Sequence, residues 1–277
     1  MPMQELTMGN KTTLRQVVVG GAVMPAGLSG LQLDEQTRQT RIAPLLFRKG
    51  NDRGVADHGW LRSRHTFSFG NFYDPKWSGF GNLLVINEDR VEPGKGFPTH
   101  GHRDMEILSY VLDGALAHSD SMGTGSVIRP GEIQRMSAGT GIHHSEYNAS
   151  KHEPVHFLQV WIQPERQAIT PGYEQKQFSL PTQHGKLVVV ASKDGREGSV
   201  RLNADAVIHA GQFAADDRAV VELRAGRQAW LHVAKGSVKV GGQRLEAGDA
   251  AYTTDNLGGS ISIEGDGTGE VLLFDLA

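Results

Sequence analysis

The sequence predicts an all-β protein built as two tandem barrels of short strands, and three observations carry this reading. First, turn residues recur at intervals of about ten from Pro44 onward. They include Glu92-Pro93-Gly94, Asp113-Gly114, Pro130-Gly131 and Gly139-Thr140-Gly141, then Asp194-Gly195, Lys235-Gly236, Gly241-Gly242, Ala247-Gly248 and Gly258-Gly259. Second, the intervening runs are short and apolar or alternating, as in Leu83 to Ile86, Ile107 to Leu112, Phe157 to Ile162, Leu187 to Val190 and Val271 to Leu276, with no long helical period. Third, the pattern repeats. Tyr110 to Gly114, a polar hairpin and Val127 to Glu132 correspond to His232 to Gly236, a shorter hairpin and Arg244 to Asp249. The chain therefore divides into an N-terminal extension (1–44), a first barrel (45–168) and a second barrel (169–277).

The extension reads differently from the rest. Its apolar run Val17 to Met24 follows Lys11 and Arg15, so it loosely resembles the apolar region of a secretory signal. The run is short, carries two glycines, precedes Pro25 and lacks a small-x-small cleavage pattern. It is also too short to span a bilayer. A tail or an extra strand is the expectation, with the protein cytoplasmic and without a membrane partner.

Composition narrows the chemistry. The 277 residues hold 28 Lys+Arg against 31 Asp+Glu, a net charge of −3 without long like-charge runs, which leaves no electrostatic footprint for direct nucleic-acid binding. Cys 0 excludes disulfides, thiolate metal sites and cysteine nucleophiles. Any metal must therefore sit on His, Asp or Glu. Nine of the 12 histidines fall between His58 and His156.

Two of those segments have ligand spacing. Thr99-His100-Gly101-His102 and His143-His144-Ser145-Glu146 each place two donors at i and i+2. On an extended strand such residues share a face, so His100 pairs with His102 and His144 with Glu146, while His143 points the other way. A lone H-x-H is more often a hydrogen-bonded surface pair than a metal site. A second such pair, after a glycine-rich turn in the same proposed barrel, changes the balance. If the two strands are neighbours, three imidazoles and one carboxylate converge, a donor set for Fe(II), Mn(II), Co(II), Ni(II), Cu(II) or Zn(II).

The same residues carry a family resemblance. Gly94-x5-His100-x-His102-x3-Glu106-x7-Gly114 resembles the first cupin motif, and Gly131-x5-Ser137-x-Gly139-x4-His144-x3-Asn148 is a looser version of the second. Together with Arg48 to Gly54, His65 to Phe69, Phe72 to Pro75, Thr99 to Ile107 and Met136 to Asn148, they are similar to the pirin family of bicupins over residues 46 to 277. The resemblance implies two cupin (double-stranded β-helix, or jelly-roll) barrels. It implies one metal, usually iron as Fe(II), on His100, His102, His144 and Glu146. His143 stands where members of the family often carry arginine.

The activity that the resemblance implies is quercetin 2,3-dioxygenase: O2-dependent ring opening of a small aromatic flavonol with release of carbon monoxide. A bound metal would acidify the flavonol hydroxyl and Glu146 would act as general base. The alternatives are an iron-dependent redox sensor or transcriptional coregulator that binds a protein partner, and a metal enzyme acting on another small enol.

Further expectations concern the surroundings. Phe67, Phe69, Phe97, Met136 and Trp161 are candidate apolar walls for a flat ligand, although each one alone is more simply a core residue. Ordinary cupins often ligate through the glutamate at the position of Glu106, and strand parity places it inward. The pirin pattern gives that role to Glu146, which leaves Glu106 a supporting or strand-pairing residue. His58 and His65 are read as structural or as supports to the site, and His118, His152, His156 and His184 have no assigned role. In the second barrel the repeat sets Glu222 and Arg224 opposite His100 and His102, and Ile261 and Ile263 opposite His144 and Glu146. That barrel should hold no metal, with His209 and His232 structural.

Overall fold

A computed structural model describes residues 41–277. The apolar run Val17 to Met24 lies outside the described residues. The first half supplies β1 (Leu45–Arg48), β2 (Gly54–Asp57), β3 (Leu61–His65), β4 (Leu83–Val91), β5 (Gly96–His102), β6 (Glu106–Asp113), β7 (Leu116–Asp120), β8 (Gly125–Ile128), β9 (Glu132–Ser137), β10 (Ile142–Asn148) and β11 (Val155–Ile162). The second half supplies β12 (Gly172–Gln177), β13 (Val188–Ser192), β14 (Val200–Arg201), β15 (Ala206–Phe213), β16 (Arg218–Leu223), β17 (Gln228–Val240), β18 (Gln243–Glu246), β19 (Ala250–Thr253) and β20 (Gly259–Leu276). Among the described residues, helix is limited to three single 3₁₀ turns, and no helix is long and apolar enough to cross a membrane.

The fold is all-β, with two cupin barrels. The first is a sandwich of a four-stranded sheet, ordered β5-β10-β7-β8, and a seven-stranded sheet, ordered β12-β9-β6-β11-β4-β3-β2. The second is one nine-stranded sheet curled around the long strands β17 and β20. Strand pairing crosses the division suggested by the repeat. β1 pairs antiparallel with β19 of the second barrel, and β12 pairs antiparallel with β9 of the first. Each barrel thus borrows an edge strand from the other half of the chain, which covers an otherwise open edge.

The central strands β6 and β11 of the seven-stranded sheet read as nearly continuous apolar sequence because both of their faces are buried. Along β11, Leu158, Val160 and Ile162 join Ile86, Leu108, Tyr110 and Ile133 in a core shared with Ile208, Trp230, Leu272 and Phe274 of the second barrel. Trp230 is fully buried there among aromatic rings, with Phe67 at 5.0 Å, Phe80 at 5.4 Å and Tyr252 at 5.3 Å between centroids. The other face of the sheet looks into the first barrel, whose apolar interior is split into two separate clusters. One contains Val91, Val111, Leu116 and Phe157, and the other Ile107, Met136, Ala138 and Ile142.

The second barrel has a continuous apolar interior that includes Ile261 and Ile263. Its strand register differs by one residue from the repeat count. Val221, not Glu222, stands opposite Ile261, and Leu223 stands opposite Gly259, so Glu222 and Arg224 are exposed. The inward positions of this strand pair are therefore apolar, with Val221 and Leu223 on one strand and Ile261 and Ile263 on the other.

Candidate metal centre

The two histidine segments form adjacent antiparallel strands. β10 pairs with β5 so that His144 faces His100 and Ile142 faces His102, with a bulge between His144 and Glu146. Two glycines permit this. Gly139 sits in the turn before β10 with φ of 46°, and a side chain there would strike the Ile169 carbonyl. At Gly96 a Cβ would lie 2.2 Å from the Glu146 carbonyl oxygen, so only glycine lets β5 approach so closely. His143 is exposed on the opposite face, as parity requires.

Three imidazoles meet at this point. His144 Nε2 lies 3.0 Å from His100 Nε2 and 3.0 Å from His102 Nε2. His100 donates its Nδ1 proton to the Pro98 carbonyl at 2.8 Å, which leaves Nε2 as a lone pair. His144 Nε2 cannot donate to both neighbours, so the three nitrogens have no complete hydrogen-bonding solution among themselves. A cation satisfies all three. Burial and the neighbouring imidazoles hold His144 down to about 3, and burial followed by His100 holds His102 down to about 4, so both present lone pairs at neutral pH. Among the described residues, the candidate ligand clusters are His100-His102-His144 and His118-His144-Glu146, each with its donor atoms within 4.8 Å of one another. The two share His144, and together they could hold one divalent transition metal.

Glu146 is 1% exposed and is held from the seven-stranded sheet across the barrel. Ser109 Oγ donates to its Oε1 at 3.2 Å and Gln159 Nε2 to its Oε2 at 2.6 Å. Trp161 Nε1 in turn donates to Gln159 Oε1 at 3.1 Å. Burial pushes the Glu146 carboxyl up to about 7, against these two hydrogen bonds. The strands carrying Ser109 and Gln159 are otherwise mostly apolar, and a single polar residue at an inward position of such a strand is a sequence signal for this support.

His118, without an assigned role from sequence, belongs to this assembly. It stands opposite Glu146 on β7, 5.3 Å from the His144 ring centroid to centroid, with Nε2 3.2 Å from Asp120 Oδ2. Burial lowers its basicity while Asp120 opposes that effect. Glu106 lies elsewhere. The turn after His102 passes through Asp104 at φ of 50°, which breaks strand parity before β6 begins. Glu106 is fully buried and accepts hydrogen bonds from the backbone N–H of Asn203 at 3.1 Å and from its side-chain amide. It therefore ties the two barrels together.

The cluster opens onto a cavity of about 850 Å³. Three of the five expected wall residues line it, Phe69, Phe97 and Trp161, and Trp161 packs edge-on against His102 with centroids 5.0 Å apart. Phe67 and Met136 do not. Phe67 packs on Trp230 in the core between the barrels, and Met136 is sealed in the small cluster with Ile107. His58 and His65, read as structural or supporting, line the cavity, as do Ser63, Asn87 and Asp89, which have no motif to announce them.

Comparison with known proteins agrees with this architecture. The pirin family model matches residues 47–162, and the model described as quercetinase C-terminal cupin domain matches residues 189–276. A quercetin 2,3-dioxygenase of Escherichia coli strain K12 is 47% identical over 84% of this chain and 98% of its own length. A pirin-like protein of Caulobacter vibrioides is 37% identical over 84% of this chain and 100% of its own length. The crystal structure of the bacterial pirin YhhW from Escherichia coli in complex with nickel(II) superposes with a TM-score of 0.78 at 45% identity, covering 84% of this chain and 99% of that one. With both barrels matched and relatives covered almost end to end, the chain belongs to the pirin family.

Proposed function

We propose that this protein is a metal-dependent quercetin 2,3-dioxygenase, which opens the central ring of a flavonol with O2 and releases carbon monoxide. The observation that carries the reading is the convergence of three imidazole Nε2 atoms, 3.0 Å apart in two pairs, with a cavity lined by aromatic side chains. The 47% identity to a quercetin 2,3-dioxygenase of Escherichia coli supports it. His100, His102, His144 and Glu146 are the proposed ligands, with Fe(II) the proposed metal and Ni(II), Mn(II), Co(II), Cu(II) and Zn(II) as competitors. A bound divalent metal would supply Lewis acidity to the flavonol hydroxyl and a route for electrons to O2.

The chain's own groups perform the remaining tasks. Glu146, held near 7 by burial, takes the proton of the flavonol hydroxyl at its carboxylate. Ser109 and Gln159 orient that carboxylate. Phe69, Phe97 and Trp161 exclude water and hold the flat ring system. Both oxygen atoms of O2 enter the ester product, and the ring carbon lost between them leaves as carbon monoxide.

The test is carbon monoxide release and oxygen uptake with quercetin, using protein loaded separately with Fe(II), Mn(II), Ni(II), Co(II) and Cu(II). Stoichiometric carbon monoxide that disappears in His100→Ala and falls sharply in Glu146→Gln is the expected result. Stoichiometric metal with no turnover in any form refutes the assignment and leaves a metal-binding sensor as the better account.

A further inference from the structure

We infer that the buried pair Asp120 and His118 positions the metal ligand His144, with His118 Nδ1 accepting the proton that His144 carries on Nδ1 whenever its Nε2 binds a metal. The inference rests on the proposed metal ligation and not on the flavonol reading, and the test below separates it from both.

Two unpaired atoms carry it. His118 on β7 and His144 on β10 are both buried, and the two strands are adjacent, with His118 opposite Glu146 and Asp120 opposite His144. Among the described residues, His118 Nδ1 and His144 Nδ1 are each buried without a hydrogen-bond partner. Their rings lie 5.3 Å apart between centroids, and donor atoms of His118, His144 and Glu146 fall within 4.8 Å of one another. A buried polar atom left unpaired is costly, and two neighbouring ones of opposite role satisfy each other.

The role of each atom follows from what the other nitrogen of its ring does. Asp120 Oδ1 already accepts the backbone N–H groups of Met122 at 2.9 Å and Thr124 at 3.1 Å, and its Oδ2 stands 3.2 Å from His118 Nε2. A carboxylate oxygen accepts, so the neutral His118 ring keeps its proton on Nε2 and presents Nδ1 as a lone pair. His144 is the converse. Its Nε2 stands 3.0 Å from the Nε2 atoms of both His100 and His102, and a metal at that point takes the Nε2 lone pair and leaves the proton on Nδ1. A ligating imidazole usually gives its other N–H to a fixed acceptor, which sets its tautomer and orientation. His100 gives its own to the Pro98 carbonyl. For His144 the acceptor is His118 Nδ1, a bond that metal loading completes. Tyr173 packs against the His118 ring with centroids 5.1 Å apart, and its hydroxyl is tied to Gln175 Oε1 at 2.7 Å, so the acceptor is braced by packing as well as by Asp120.

The test uses the full chain loaded with Co(II), which moves the N–H protons of ligating imidazoles far from the rest of the proton NMR spectrum. His118→Leu removes the acceptor, and His118→Asn, of nearly the same shape as leucine, returns an oxygen near the place of Nδ1. In His118→Leu one shifted N–H signal is expected to move and to exchange faster in D2O, and Co(II) affinity by chelator competition to fall about tenfold. His118→Asn should restore the signal and bring affinity to within about threefold of wild type. If His118→Leu does not fold, Asp120→Asn carries the same expectation of a displaced signal and weaker binding. That variant keeps an oxygen for the turn, while its amide N–H faces His118 Nε2 and reverses the His118 tautomer. Unchanged signals and affinity in every folded variant overturn the inference, as does an equal loss in His118→Leu and His118→Asn, which would make His118 a packing residue. Wild-type Co(II) affinity in His100→Ala overturns the metal ligation on which the inference rests. The expected signals and affinities, without carbon monoxide from quercetin under any metal, keep the positioning pair and overturn the dioxygenase reading.

Discussion

Replacing Gln159 with leucine isolates the support of the buried carboxylate from the ligands themselves. Gln159 Nε2 donates to Glu146 Oε2 at 2.6 Å, the shorter of its two side-chain hydrogen bonds, and leucine preserves most of the volume while removing the donor. A hydrogen bond to a charged group contributes about 1.5–3 kcal/mol, and ~1.4 kcal/mol corresponds to one pKa unit. The Glu146 carboxyl, already pushed up to about 7 by burial, should move roughly one to two units higher in Gln159→Leu. At pH 7 its ionised fraction would drop from about half to roughly a tenth or less. If the ionised carboxylate is a ligand, apparent metal affinity at pH 7 falls roughly tenfold, within the 10–100-fold range usual for residues that orient a ligand. Competition against a chromophoric chelator with Ni(II) or Co(II), from pH 6.5 to 9, measures this. The deficit should shrink as pH rises, because alkali restores the anion in both proteins. Superimposable affinity curves, or a deficit as large at pH 9 as at pH 7, would refute the reasoning.

Three further outcomes are expected. Glu106→Gln should bind metal with wild-type stoichiometry, since Glu106 contacts Asn203, whereas His100→Ala and His144→Ala should each lose at least about tenfold in affinity by the same chelator competition. Trp230→Ala should destabilise the protein by about 3–5 kcal/mol in urea melts, because a fully buried indole between the barrels leaves a large cavity. Asp89, whose carboxyl is raised from 3.8 to about 7, makes a contribution to metal-free stability that is fully present below about pH 4 and lost as pH rises through about 7. Urea midpoints of wild type should therefore fall relative to those of Asp89→Asn across that window, and parallel profiles would contradict the burial of that group.

The candidate site is more legible in the sequence than its surroundings because strand parity is a local rule. His100 with His102 and His144 with Glu146 each lie within one strand, so a period of two placed them on one face, and the glycine turns framed those strands. Parity failed where a turn intervened. Alternation continued from His102 through Arg103 to Met105 sets Glu106 inward, but Asp104 lies in the left-handed region and resets it. In the second barrel the repeat count missed by one residue, enough to exchange Glu222 for Val221 at the inward position. His118 was illegible because its importance comes from the pairing of β7 with β10, a partnership that no spacing encodes. Phe67 and Met136 were apolar in the right region, yet apolar character cannot distinguish a cavity wall from a packed core.

The two barrels explain each other when their interiors are compared. The second is filled with apolar side chains, Ile261 and Ile263 among them, at the strand that corresponds to the one carrying His144 and Glu146. The first gives up that continuity. Asn87, Gln159, Ser109 and Gln134 form a polar row across four adjacent strands, β4, β11, β6 and β9, and this row separates the two apolar clusters. Such a row lowers the apolar burial available inside the first barrel, which also contains an open cavity of about 850 Å³. The compensation lies on the reverse face of the same sheet. There Leu108, Tyr110, Leu158 and Val160 are buried against the second barrel, and β12 from the second half of the chain closes the sheet edge. The apolar barrel thus supports a polar one whose interior, freed from holding the fold together alone, can hold lone pairs and a buried carboxylate in place.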